Sequence, residues 1–177
     1  MKGGSFVLWK RLRGYGVHSP EAFRLVQRVV KSPGKVCYYG EEVLSTRDAD
    51  SRLLRQARLL LRLTAYLQPA FVWTSPGIPA LMTEAVSLAG EVIRIFDGKV
   101  YPDKTDEADL IVVYKKPLTK SVLDKAIAAG KSIVAFEVPE KFVETAFSRL
   151  KSGVFLEWRT GFILEPIADS EKYHYPI

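Results

Sequence analysis

The chain has one cysteine, Cys37, and two histidines, His18 and His174, among 177 residues. A single thiol excludes an internal disulfide, and neither histidine has another soft ligand close by in sequence, so metal chemistry is not expected. Long apolar runs are missing too. Before Lys10 and Arg11 the N-terminal stretch offers only Phe6 to Trp9, too short for a signal-peptide core or a membrane span. The expectation is a cytoplasmic protein with no membrane partner. Repeats and low-complexity tracts do not occur. With 47 % hydrophobic and 26 % charged residues the composition excludes disorder, and a single domain over 1–177 is expected.

What is present is an uneven distribution of charge. The net charge of +6 divides into 13 Lys/Arg against 5 Asp/Glu over 1–68, and 13 against 15 over 69–177. The basic character therefore belongs to the first third, either as a solvated face or as a surface for an acidic partner such as nucleic acid.

Residues 5–13 read as a short helix and Gly14 to Pro20 as a break. A second helix follows, with Ser19 as N-cap, Pro20 at the first helical position, Glu21 on the positive dipole end, and Phe23, Val26, Val29 and Val30 at helical spacing. It is expected to stop near Ser32-Pro33-Gly34. The strongest helical pattern runs from about Asp50 to Gln68. At about 100° per residue from Arg52, the side chains of Leu53, Ala57, Leu60, Leu61, Thr64 and Leu67 fall on one face and Arg55, Arg58 and Arg62 on another. Those three arginines are the candidate contact for nucleic acid, although no exposed aromatics interleave with them.

From Pro69 onward short apolar runs alternate with helical segments. Ala70–Thr74, Val92–Phe96, Leu110–Val113 and Ser132–Phe136 are rich in β-branched and aromatic residues and read as buried parallel strands. Helices are expected over Pro79–Leu88, Thr119–Ala129 and Glu140–Leu150. Val154–Trp158 and Phe162–Pro166 flank Arg159-Thr160-Gly161 and read as a hairpin with glycine in the turn. A helical region over 1–68 packed on a doubly wound α/β core over 69–177, with about six strands and an antiparallel end, is the expected fold.

Gly16-Val17-His18-Ser19-Pro20-Glu21-Ala22-Phe23, then Tyr38-Tyr39, the basic leucine-rich helix ending at Pro69, the terminal hairpin and the ending Lys172-Tyr173-His174-Tyr175-Pro176-Ile177 together carry a resemblance. The chain resembles class I S-adenosylmethionine methyltransferases, and in particular a group of bacterial methyltransferase-like proteins common in relatives of Bacteroides. The resemblance implies a Rossmann-like fold and S-adenosylmethionine as cofactor, held at the carboxyl ends of the strands. The positions it assigns to cofactor binding are Thr74, Ser75, Gly77, Asp97 and Tyr114.

The cofactor stretch departs from the pattern of the group it resembles, Leu-Glu-Leu-Gly-x-Ser-x-Gly. In Ala70-Phe71-Val72-Trp73-Thr74-Ser75-Pro76-Gly77, Phe71 takes the acidic position and Trp73 the first glycine position, while Ser75 and Gly77 match. Asp97 matches the acidic residue that binds ribose hydroxyls, but an Asp97-Gly98 turn after a strand needs no ligand. Tyr114 stands where many such enzymes carry an acidic residue near the transferred methyl, and no general base is evident.

A strand-helix unit is missing as well. Residues 98–108 are all that separates Asp97 from Asp109, and 11 residues reach about 36 Å when extended, enough for a helix-free return. In the family's strand numbering the expected order is 2-1-4-5-7-6. His18 reads as a packed or capping residue, Cys37 as a partly buried, inert thiol, and Trp9, Trp73 and Trp158 as core residues. The expected function is that of a methyltransferase-like binding or structural module with lost or reduced cofactor binding. An active methyltransferase using Ser75, Gly77 and Asp97, and a nucleic-acid-associated protein using the basic helix, are the alternatives.

Overall fold

The computed structural model describes residues 19–31 and 38–177. The expected helix at 5–13, together with Trp9, His18 and Cys37, lies outside the described residues. The first element, α1 (Pro20–Leu25), begins as its sequence requires: Ser19 Oγ accepts the Ala22 amide at 3.3 Å and donates to Glu21 Oε2 at 3.0 Å. The helix continues as a π-helical turn over Val26–Val30, closed by the Lys31 amide on the Val26 carbonyl. Next comes α2 (Tyr38–Ser45), a helix the apolar pattern does not announce, since Gly40 stands inside it. A Cβ at Gly40 would lie 3.0 Å from Leu61 Cδ2, so glycine there permits close approach to the next helix.

That next helix, α3 (Ser51–Leu67), follows its periodicity. Asp50 caps the Arg52 and Leu53 amides at 3.0 and 3.2 Å, and Gln68 closes the other end in a left-handed conformation (φ 49°) just before Pro69. Ala57, Leu60, Leu61, Leu63 and Thr64 are buried, each leucine worth about 1.5–3 kcal/mol of apolar transfer.

The sheet begins with β1 (Phe71–Thr74), followed by α4 (Ala80–Ser87), β2 (Arg94–Asp97), a single 3₁₀ turn at Lys104–Asp106, β3 (Leu110–Tyr114), α5 (Lys120–Ala128), β4 (Ser132–Phe136), α6 (Glu140–Arg149) and the strands β5 (Gly153–Trp158), β6 (Gly161–Pro166) and β7 (Lys172–Pro176). Seven strands lie in the order β2-β1-β3-β4-β6-β5-β7. Strands β1 to β4 run parallel, β6 is antiparallel to both β4 and β5, and β7 lies parallel to β5 at the far edge. This mixed α/β sheet is consistent with a Rossmann-like fold. The first six positions reproduce the expected order, with no α-helix between β2 and β3 because β1 pairs directly with both.

Two layers of core cover the sheet. Val72, Leu110, Val112, Val134, Phe136, Val154, Leu156 and Ile163 face α1, α3 and α4, while Trp73, Ile111, Val113, Ile133, Ala135, Phe155, Phe162 and Leu164 face α5 and α6. Alternation along each strand sends neighbours to opposite layers.

Three expectations need correction. Strand β2 is not buried on both faces; it is the sheet edge, with Arg94 and Asp97 exposed, because the short crossover provides no helix to cover it. A seventh strand, β7, extends the sheet beyond the hairpin, its short alternating sequence carrying no continuous apolar signal. Gly161 does not serve the hairpin turn through a positive φ. It pairs with Trp158 across the two-residue loop, and a Cβ there would meet the Ala135 carbonyl at 2.1 Å.

Candidate functional site

In an open α/β sheet ligands bind beyond the carboxyl ends of the strands, and here that edge carries two neighbouring sets of polar residues. Strands β1, β2 and β3 bring Thr74, Ser75, Asp97 and Tyr114 together, with Thr74 in register with Asp97 on one side and Val112 on the other. Ser75 Oγ accepts the Tyr114 amide at 2.8 Å, and the Ser75 amide donates to the Val112 carbonyl at 2.8 Å. Ser75 thus extends the β1–β3 ladder past the end of β1. Thr74 and Ser75 are 1 % and 2 % exposed, which leaves Gly77, Asp97 and Tyr114 to meet a ligand. Gly77 is exposed at φ 83°, a conformation that suits glycine, in the turn leading to α4.

Asp97 is exposed, and one of its two carboxylate oxygens serves its own turn. Its Oδ1 accepts the Lys99 amide at 2.8 Å, and its carbonyl accepts the Val100 and Tyr101 amides at 2.9 and 2.8 Å. This turn aims the loop back over the α5 side of the sheet. There Trp73 Nε1 donates to the Tyr101 carbonyl at 3.0 Å, Phe71 stacks on Phe96 with centroids 5.7 Å apart, and Phe96 meets Tyr101 edge-on at 5.8 Å. The aromatic side chains at 71 and 73 therefore cover the face of β1 and β2 that no helix covers among the described residues. Gly98 is not left-handed; a Cβ on it would lie 2.3 Å from the Trp73 ring and 2.7 Å from the Thr74 carbonyl.

The second set lies at the end of β4. Glu137, the residue after β4, has φ 57°, and Lys115, the residue after the adjacent β3, has φ 61°. Left-handed backbone at non-glycine residues costs roughly 1–2 kcal/mol each, and here two stand side by side on the edge where ligands bind. Glu137 Oε2 pairs with Arg52 at 2.6 Å, Glu137 Oε1 accepts from Gln56 Nε2, and Arg52 also donates to Thr160 Oγ1 at 3.1 Å. This network fixes the start of α3 over the β5–β6 turn. Beside it lies a cavity of about 270 Å³ lined by Val30, Arg52, Arg55, Gln56, Leu59, Phe136, Trp158, Thr160 and Ile177.

Of the arginines on α3, the structure draws two inward. Arg58 donates to Ser45 Oγ at 2.6 Å, and Arg62 donates to the Arg58 carbonyl and pairs with Glu41 at 3.5 Å, so both are half-buried under α2. Arg55 stays exposed at the cavity rim and makes no ion pair among the described residues. The face expected to be basic and open is therefore mostly an interface with α2. Among the described residues no helix is long and apolar enough to cross a membrane.

Glu137, Gln56, Thr160 and Arg52 are functional candidates that the sequence pattern does not single out. An acidic residue directly after a parallel strand was the available signal for Glu137. Comparison of the chain with family models, curated proteins and solved structures found no match.

Proposed function

We propose that the chain is a methyltransferase-like binding module that does not hold S-adenosylmethionine at the ends of β1, β2 and β3. The observation that carries this reading is the use of the candidate cofactor residues within the fold itself. Ser75 Oγ is taken by the Tyr114 amide and Asp97 Oδ1 by the Lys99 amide, while Thr74 and Ser75 are buried away from any ligand. A polar group already bonded and desolvated offers little to a ligand unless the protein bond breaks first. The residues present do not fit the cofactor, and no methyl-transfer step is derived from them. The resemblance in the sequence and the Rossmann-like sheet support the methyltransferase-like architecture, and the cavity beside Arg55 supports a retained binding role.

The test is thermal denaturation with S-adenosylmethionine and with S-adenosylhomocysteine. A ligand at about 100 times its dissociation constant stabilises by about 2.7 kcal/mol, roughly 5–10 °C for a chain of this size. No displacement at millimolar ligand is the expected outcome. A clear upward displacement that disappears in Asp97→Ala overturns the proposal in favour of an active methyltransferase.

A further inference from the structure

We infer that strand β2 is the surface on which a second copy of the chain docks, joining two sheets edge to edge about a twofold axis normal to them. The two edges of the sheet differ in how far they are closed to such pairing. At β7 the Gly153 amide bonds to the Glu171 carbonyl and the Ile177 amide to the Glu157 carbonyl, so the alternate residues Lys172, His174 and Pro176 turn their backbone outward. Pro176 has no N–H to offer there and Lys172 brings a charge, two features that obstruct the addition of a strand. At β2 the Arg94 and Gly98 amides bond to the Ala70 and Thr74 carbonyls of β1, which turns the backbone of Ile95 and Asp97 outward. Among the described residues no strand pairs with that side, and no proline guards it. Apolar surface gathers at the same place. Val92, just before β2, and Val100 and Tyr101, just after it, are 87 %, 62 % and 46 % exposed, three of the five exposed large apolar side chains among the described residues.

Symmetry and charge select the occupant. Two copies of one edge form a continuous sheet about a twofold axis only as antiparallel strands, and an axis normal to the sheet keeps each face on its own side, so one residue pairs with itself at the axis. Centred on Ile95, the pairing exchanges its N–H and C=O with those of the partner's Ile95. Centring on Phe96 instead would place the Asp97 carbonyl in the middle of the ladder, where it already accepts the Val100 and Tyr101 amides. Counted outward from Ile95, Arg94 lies opposite the partner's Phe96, and Glu91 comes beside the partner's Lys99. Glu91 and Lys99 are both exposed and carry opposite charges, and the axis repeats their contact, so the start and end of β2 are complementary to each other. Arg94 already lies over the Phe71 ring at 5.8 Å, and Phe71 stacks on Phe96, so the pairing offers the guanidinium a second aromatic face.

A strand of four residues with its flanks makes a contact at the low end of the range for specific interfaces, so the dimer is weak, with a dissociation constant on the order of 10–100 µM. The pairing uses the backbone of β2 and does not depend on the reading of the chain as a binding module.

The experiment is sedimentation equilibrium of the full chain from about 1 µM to 1 mM, where the mass is expected to rise from that of one chain towards that of two. Ile95→Pro removes the central N–H, which points away from β1, and is expected to weaken the dimer at least tenfold, with circular dichroism to check that the variant folds. The charges give a second arm that leaves the backbone untouched. Glu91→Lys and Lys99→Glu are each expected to weaken association about three- to tenfold at low salt, and the two substitutions together to restore it to within about twofold. The mass of one chain throughout, a double variant no tighter than either single one, or a folded Ile95→Pro protein that associates like the wild type overturns the proposal. So does a dimer indifferent to every β2 substitution, which assigns the contact to another face.

Discussion

The contact between Gly98 and the Trp73 indole makes a quantitative prediction about the β1–β2 crossover. Trp73 is 5 % exposed and donates Nε1–H to the Tyr101 carbonyl, so Trp73→Ala removes a large buried ring and a hydrogen bond. Such truncations cost about 3–5 kcal/mol, a drop of roughly 6–20 °C in a chain of this length. Gly98→Ala fails for a different reason: the new methyl would sit 2.3 Å from the indole edge and 2.7 Å from the Thr74 carbonyl. Overpacking of this kind costs about 1–3 kcal/mol. In the double variant the ring is gone and only the carbonyl contact remains, so the two costs must not add. Urea denaturation of the four proteins is expected to give a combined loss smaller than the sum by at least about 1 kcal/mol. Trp73→Phe in place of Trp73→Ala keeps the cycle measurable if the alanine variant fails to fold. Additivity within about 0.5 kcal/mol would refute the claim that Gly98 exists to admit the indole.

Gly161→Ala is expected to lower stability by about 1–3 kcal/mol or more, because the Ala135 carbonyl lies 2.1 Å from the new Cβ; a neutral variant in thermal melts would contradict the close approach of β4 and β6. Burial first, and Glu21 second, raise the Glu165 carboxyl above its ordinary value, and Glu165 in turn acts on Tyr66, which Arg24 and Arg28 also face. The folded chain then holds this proton more tightly than the unfolded one, so the stability from Glu165 is full below its unfolded pKa and is lost as pH rises through the folded value. Glu165→Gln is expected to be the more stable protein at about pH 8 and to lose that advantage near pH 4, and a pH-independent difference would oppose this account.

Much of the sheet was legible in the sequence because parallel strands buried on both sides read as continuous apolar runs, and β3 and β4 are such strands. Strand β2 began two residues later than its apolar run suggested, since at a sheet edge the run need not coincide with the hydrogen-bonded ladder. Helix α2 was illegible for a related reason: its glycine, read locally, lowers helix propensity, and its value appears only when Leu61 of α3 lies against it. The same gap misdirected the reading of the arginines. A helical wheel shows which side chains share a face, but it cannot show that Glu41 and Ser45 of an unrecognised helix come to meet Arg62 and Arg58. Thr74, Ser75, Asp97 and Tyr114 lie at one edge because strand ends are fixed by topology. The Asp97 turn is local and legible, whereas Ser75 to Tyr114, and beside this edge Glu137 to Arg52, join residues far apart in sequence.

The aromatic residues at 71 and 73 and the short crossover have a single physical explanation. Among the described residues no strand-helix unit stands beside β2 and no helix covers the α5-side face of β1 and β2, and that apolar surface must be covered by something close at hand. Among the described residues, the 98–108 loop lies over it through Tyr101, and a loop of that length supplies little apolar area by itself. Large side chains from the strands must fill the space beneath, as Phe71, Trp73 and Phe96 do, with Tyr101 closing from the loop. Phe71 and Trp73 are thus components of the covering layer, and Asp97 and Gly98 shape the turn that lays the loop onto it. Trp73→Gly would therefore uncover the sheet rather than open a ligand site, since the space released lies under the loop and the Ser75 hydroxyl would still be bonded to the Tyr114 amide.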